Sequence, residues 1–182
     1  MDTKALFVAV LAAGIVGGFV ISDYLVDDEA MEQEETLEEV EVVEVGNEAP
    51  DFTLIDTDGN EFNLSDYEGE KVIVLEFMSM KCGTCKNFEK DTIKSYCNES
   101  MPEDVEVISV TQTKNADDNE LAERTEEMGW RFMKGSSEMT DAFGAESSPT
   151  IVIIDKDGMV TFSESGIISQ SELEDEVNAA LG

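Results

Sequence analysis

The chain has 182 residues, enough for one ordinary domain with additions, and carries 43 acidic against 11 basic side chains, a net charge of −32. It has no histidine, which excludes Ser-His-Asp and Cys-His catalysis, His-ligated zinc or copper, and haem held by an axial histidine. So negative a chain also argues against broad contact with nucleic acid, while a hydrophobic fraction of 41% suffices for a core.

Residues 1–4 read as a short cytoplasmic stub. Ala5–Ile21 contains no charge. As a helix it would be about 25 Å long, the short end for a membrane span. Lys4 precedes it, and Asp23, Asp27, Asp28 and Glu29 follow it. The positive-inside rule puts the N-terminus in the cytoplasm and the remainder outside. The segment is expected to be a transmembrane anchor, with a cleaved secretory signal as the alternative. Both readings export the rest of the chain to a compartment that permits disulfides. Residues 22–45 read as an acidic linker, with ten acids and no base between 27 and 44. Such a run is solvated and self-repelling, a stalk holding residues 46–182 off the membrane.

From Gly46 the texture is that of a globular domain. Phe52 and Leu54 alternate with polar residues, Asp56–Asn60 is a turn signal, and Phe62 and Leu64 follow, which predicts a hairpin. Lys71–Phe77 is a near-continuous apolar run, as for a strand buried on both faces. A helix should open at Cys82 and run to about Cys97. Val105–Thr111 is a second buried strand, and Asp117–Met128 and Ser137–Phe143 read as helices. Pro149–Asp155 and Met159–Ser163 are strands joined at Asp157-Gly158. Ser169–Leu181 closes as a helix, with Ser171 and Glu174 at capping-box spacing. The alternation of strands and helices gives an α/β domain.

The cysteines are Cys82, Cys85 and Cys97. Three are too few for a disulfide framework, and one thiol is spare. Cys82-Gly83-Thr84-Cys85 is a CxxC pair, which serves as a redox couple or as half of a metal site; without histidine the redox reading leads and no metal is expected. A strand feeding a helix at CxxC places Cys82 at the helix N-terminus, where unpaired N–H groups and the helix dipole stabilise a thiolate. Cys82 is therefore the expected nucleophile and Cys85 the resolving thiol. Lys81 and Lys86 flank the pair and favour the thiolate further. Lys86, Lys90 and Lys94 recur every four residues as one helical stripe, either a solvated face or a docking face for an acidic partner. Glu76 interrupts the buried run on the face shared with Val72 and Val74. Buried there, its pKa should rise, and it could take the proton from Cys85 during resolution; the alternative is an edge position where it reaches water. Cys97 lies about 18 Å along the helix from Cys85 and reads as a plain buried thiol. Met78 and Met80 read as packing, and Trp130 as core.

Several motifs fall in order: Gly46-Asn-Glu-Ala-Pro-Asp-Phe-Thr-Leu54, the Asp58-Gly59 turn, Leu64-Ser-Asp-Tyr-Glu-Gly69, Val72–Phe77, Cys82-Gly-Thr-Cys85, Ser148-Pro-Thr150 and Ile154-Asp-Lys-Asp-Gly158. Together they resemble the thioredoxin-like redoxin/TlpA/ResA group of membrane-anchored thiol–disulfide oxidoreductases, over residues 46–182. The resemblance implies a thioredoxin-like fold, a central mixed β-sheet flanked by helices with an N-terminal β-hairpin extension. It implies a redox-active disulfide between Cys82 and Cys85, a cis Pro149 against that pair, and Ser148 and Thr150 presenting backbone to a substrate. Gly83, Thr84, Ser148, Pro149 and Thr150 then form the substrate contact, and Cys82, Cys85 and Glu76 the catalytic set. No cofactor is implied. The implied partners are protein thiols or disulfides and a membrane redox donor or acceptor. This sequence departs from the group at three points: Met78-Ser-Met-Lys81 replaces the usual aromatic residue before the motif, Phe88 stands where many relatives carry an acid, with Glu89 next, and the helix-kinking proline is absent. The peroxiredoxin branch shares the N-terminal half but carries proline five residues before its cysteine, where Phe77 stands here. A thiol peroxidase and a non-catalytic thioredoxin-fold binding module are the alternative functions.

Overall fold

The strands and helices follow from two apolar periodicities, and the computed structural model describes them over residues 42–182. The stub, the apolar segment Ala5–Ile21 and the linker as far as residue 41 lie outside the described residues. No helix among the described residues is long and apolar enough to cross a membrane.

The expected hairpin forms β1 (Thr53–Ile55) and β2 (Glu61–Asn63), with Leu54 opposite Phe62. Asp56 closes its turn by accepting the backbone N–H of Asp58 and Asn60 at 2.9 and 2.8 Å. The apolar run becomes β3 (Val72–Met78), buried at every position. It is the central strand of a five-stranded sheet. On one side β4 (Val105–Thr111) runs parallel to it, Val72 opposite Val105, and β5 (Arg131–Lys134) runs parallel to β4. On the other side β6 (Thr150–Ile154) is antiparallel to β3 and β7 (Val160–Ser165) is antiparallel to β6. The order is β5-β4-β3-β6-β7.

Side chains of β3 alternate between two cores. Val72, Val74 and Met78 pack with Phe88, Ile93, Tyr96, Leu173 and Val177; Ile73, Leu75 and Phe77 pack with Phe62, Met133 and Phe143. The first core is covered by α1 (Gly83–Phe88), which runs through a π-helical turn (Glu89–Ile93) into α2 (Lys94–Glu99), and by α5 (Gln170–Leu181). The second lies under the hairpin and α4 (Ser137–Ala142). The remaining helix is α3 (Asp118–Met128), capped by Asp117, which accepts from the backbone of Asn119 and Glu120.

Three features differ from the sequence expectation. The helix after Cys82 has a wider turn at Glu89–Ile93 and extends to Glu99. That turn carries Glu89, fully buried, into an ion pair with Arg124 of α3, whose guanidinium lies 4.7 Å over the Phe132 ring. Such a pair adds little net stability, but losing either member strands the other. Strand β5 was not expected; only Phe132 and Met133 of its four residues are buried. The cap of α5 is Ser169, which accepts the Glu172 N–H at 3.2 Å, not Ser171. Glu174 instead accepts hydrogen bonds from Ser100 and Gln170. At the start of the described chain, Val43 N–H donates to Ala142 and Gly46 N–H to Val160, at 2.8 and 2.7 Å.

Candidate active site

The parallel strands β3 and β4 end at Met78 and Thr111, and the loops that follow meet there. Gln112 N–H donates to the Met78 carbonyl at 2.9 Å, and Met80 N–H donates to the Thr113 hydroxyl at 3.2 Å. These bonds hold the three residues Ser79, Met80 and Lys81 over the sheet end. Cys82 N–H turns back to the Ser79 carbonyl, and the helix begins. Cys82 is its N-cap, with extended backbone (φ −77, ψ 106) and a sulfur that accepts the Cys85 N–H at 3.0 Å. That donor is one of the orphan amides of a helix start, and it favours negative charge on Sγ.

The two sulfurs are at disulfide distance, 2.18 Å, with Cα atoms 5.3 Å apart. Their environments differ. Cys85 is fully buried in the core with Met78, Met80 and Phe88; Cys82 is half-buried beside exposed Gly83 and Thr84. An incoming reagent therefore meets Cys82 first. Lys81 and Lys86 are both exposed on either side of the pair.

A third loop completes the site. The Ser148–Pro149 peptide is cis, as the resemblance implies, and the Ser148 carbonyl oxygen is 3.6 Å from Cys82 Sγ. Pro149 is buried, and its carbonyl accepts the Gly166 N–H at 2.8 Å. The Thr150 side chain is buried and bonds to the Ser147 carbonyl and the Ser165 hydroxyl, and its backbone begins β6 between Phe77 of β3 and Ser165 of β7. The Ser148 hydroxyl donates to Gln112 Oε1 at 2.8 Å, and Gln112 Nε2 donates to the Ala145 carbonyl. Thus the Cys82–Cys85 pair, Gln112 and the Ser148–Thr150 loop come together from three separate stretches of chain.

Glu76 occupies the middle of β3, opposite Ser109 and Ile151, and is fully buried. An edge position reaching water is excluded. It lies between Val74 and Met78 on the face that packs with Cys85. Burial pushes its carboxyl up to about 7, against the lowering effects of the Ser109 hydrogen bond and the Arg124 charge. The Trp130 indole N–H donates to Ser109 Oγ at 2.9 Å. Indole is donor only, so the Ser109 proton is directed to Glu76 Oε2. Among the described residues Glu76 Oε1 has no hydrogen-bond partner, and it is the oxygen left for a proton. Neither Ser109, Trp130, Arg124 nor Gln112 stood out in the sequence as part of a site. Ser109 did interrupt an apolar strand, the one local signal among them.

Two other sequence candidates are absorbed by the fold. Lys90 faces Glu127 of α3 at 3.6 Å, and Lys94 donates to the Glu127 carbonyl at 2.7 Å, so much of the lysine stripe is met from within the chain. Cys97 is half-buried against the core, and burial pushes its thiol up to about 11. Among the described residues no group of His, Cys, Asp or Glu is placed to hold a metal ion.

The redoxin family model matches residues 44–181. The thiol–disulfide oxidoreductase ResA of Bacillus thuringiensis subsp. konkukian is 30% identical over 144 residues, 74% of this chain and 78% of that protein. A thiol peroxidase of Staphylococcus saprophyticus is 39% identical over a shorter stretch of 69 residues, 38% of this chain and 40% of that protein. The thioredoxin domain of a thiol–disulfide oxidoreductase from Bacteroides vulgatus superposes with a TM-score of 0.62 at 20% identity, over 75% of this chain and 99% of that domain, which establishes the thioredoxin-like fold. The chain belongs to the redoxin family and is a thiol–disulfide oxidoreductase of that family.

Proposed function

We propose that the chain works outside the cytoplasm, tethered by residues 5–21, and exchanges disulfides with protein substrates through Cys82 and Cys85. On this reading residues 1–4 are a cytoplasmic stub, residues 22–45 a stalk, and residues 46–182 the working domain. The observation that carries the chemistry is the asymmetry of the pair. One sulfur is accessible, accepts a helix-start N–H and lies beside a backbone carbonyl; the other is buried behind it.

In the reducing direction, the Cys82 thiolate attacks one sulfur of a substrate disulfide. That bond breaks, and the first substrate sulfur leaves as a thiolate. The Ser148–Thr150 backbone and the exposed Gly83-Thr84 turn are the surfaces against which the substrate chain lies. Cys85 then loses its proton to the Glu76 carboxylate and attacks Cys82 Sγ. The mixed disulfide breaks and the second substrate thiol departs, leaving Cys82–Cys85 oxidised and two electrons on the substrate. Oxidation of a substrate dithiol is the reverse sequence. A membrane redox donor or acceptor resets the pair.

A thiol peroxidase is the second reading, and the shorter likeness to the Staphylococcus protein favours it. Phe77 stands where that branch carries proline, which favours the exchange reading. Cells expressing the full chain, treated with mild reductant and then a membrane-impermeant maleimide, test the location. Labelling of Cys82 from outside in membrane-bound protein, with loss from the membrane on deleting residues 1–21, is expected. Labelling only after lysis, or protein found in the soluble fraction, contradicts the tethered reading.

A further inference from the structure

Gln112 joins the two halves of the site. Its backbone N–H is bonded to the Met78 carbonyl, four residues before Cys82. Its side-chain amide reaches the other way, to the loop that faces Cys82. Nε2 donates to the Ala145 carbonyl and Oε1 accepts the Ser148 hydroxyl. The orientation of the amide is dictated by its partners, since a carbonyl can only accept and the NH2 must face it. Ala145 is fully buried, so that end of the clamp is anchored in the core. The Ser148 carbonyl, on the same residue as the clamped hydroxyl, is 3.6 Å from the Cys82 sulfur.

We propose that Gln112 is a positioning residue for peptide substrates: its amide sets the height of the Ser148–Pro149 backbone over Cys82, against which a substrate chain pairs. This rests on the reading of that loop as the substrate contact. A peptide disulfide must satisfy two constraints at once, sulfur in line with Cys82 and backbone on the loop. A small disulfide must satisfy only the first. Displacing a positioning surface by about 1 Å can cost about a hundredfold in rate. Loss of the amide therefore penalises peptide disulfides selectively, while the Cys85 N–H donor to Cys82 Sγ remains.

The test compares wild type with Gln112→Met, which keeps the length of the side chain and removes both hydrogen bonds. Gln112→Ala serves as a second variant should packing of the methionine perturb the fold. Each reduced protein is assayed for kcat/KM with an unstructured peptide containing one disulfide and with hydroxyethyl disulfide. The pair's potential and the alkylation rate of Cys82 are measured alongside. For the peptide, kcat/KM is expected to fall by about tenfold or more. For hydroxyethyl disulfide, the potential and the alkylation rate, changes within about twofold are expected. Equal losses with both substrates overturn the inference and leave a general structural role. An unchanged peptide rate also overturns it. Wild type that exchanges with hydroxyethyl disulfide but with no peptide overturns the loop reading and this inference together, whereas a peptide-active wild type with unselective variants overturns this inference alone.

Discussion

Cys85→Ala is expected to convert the protein into a trap. Cys82 keeps its half-exposed position, and the variant still attacks a substrate disulfide. The second step loses its attacking thiol. A mixed disulfide with substrate then accumulates to near one equivalent, and turnover falls by about two orders of magnitude or more. Gel mobility under non-reducing conditions, with mass spectrometry of the adduct, reads this directly. Cys82→Ala is expected to lose both the adduct and the turnover, because Cys85 is fully buried in the core and no substrate sulfur reaches it. The spare thiol does not rescue either variant. Cys97 lies in α2, half-buried, with its thiol pushed up to about 11 and little thiolate near neutral pH. An adduct that forms equally in both variants would show that the roles assigned from burial are wrong.

Glu76→Gln should have two effects of opposite sign. On the proposed reading the carboxylate accepts the Cys85 proton in the resolving step, and its loss is expected to slow that step about a hundredfold. The pH–rate profile of resolution should lose a limb near pH 7, where the carboxyl titrates in the fold. Stability should move the other way. The folded carboxyl is raised from 4.5 to about 7, so the native state holds the proton more tightly than the unfolded chain. Between those two values the folded state binds more protons, and stability falls as pH rises. Below about 4.5 both states are protonated and the penalty is absent; above about 7 it is complete. Glutamine pays none of this, so the variant should be more stable than wild type by about 3 kcal/mol at pH 8, with no such advantage at pH 4. Denaturant melts at the two pH values check it. The groups facing Glu76 are the Ser109 hydroxyl, held by Trp130, and the Arg124 charge, itself paired with buried Glu89. A variant that is less stable than wild type at pH 8 would contradict this, as would unchanged resolution kinetics.

Much of this architecture was legible in the sequence because it is written in local pattern. The run Lys71–Phe77 is apolar on both faces and so belongs in the middle of a sheet; it became the central strand. The Asp56–Asn60 turn carries its own side-chain hydrogen bonds and specifies the hairpin without outside help. The CxxC pair at a strand–helix junction declared its orientation, with the first sulfur at the helix start. What escaped was set by contacts between distant residues. Strand β5 has four residues with Arg131 and Lys134 at its ends, too short to show a period of two, and it is defined by pairing with β4. Ser171 and Ser169 both stand three residues before a glutamate, so spacing alone could not choose the cap of α5. Arg124 reads as one more charge on an acidic helix, yet it is drawn inward by Glu89, 35 positions earlier. Gln112 follows a strand in a polar loop, and its role depends on where the Ser148 loop returns.

The most direct test is an equilibrium redox titration of the full chain carrying Cys97→Ala, in buffers of defined thiol and disulfide ratio, with the state of the pair read by alkylation and mass. A single reversible transition involving two electrons is expected, confined to Cys82 and Cys85 and absent from the Cys82→Ala protein. A pair that stays oxidised across the accessible range, or opens without closing again, would make it a structural staple and contradict disulfide exchange as the activity of this chain.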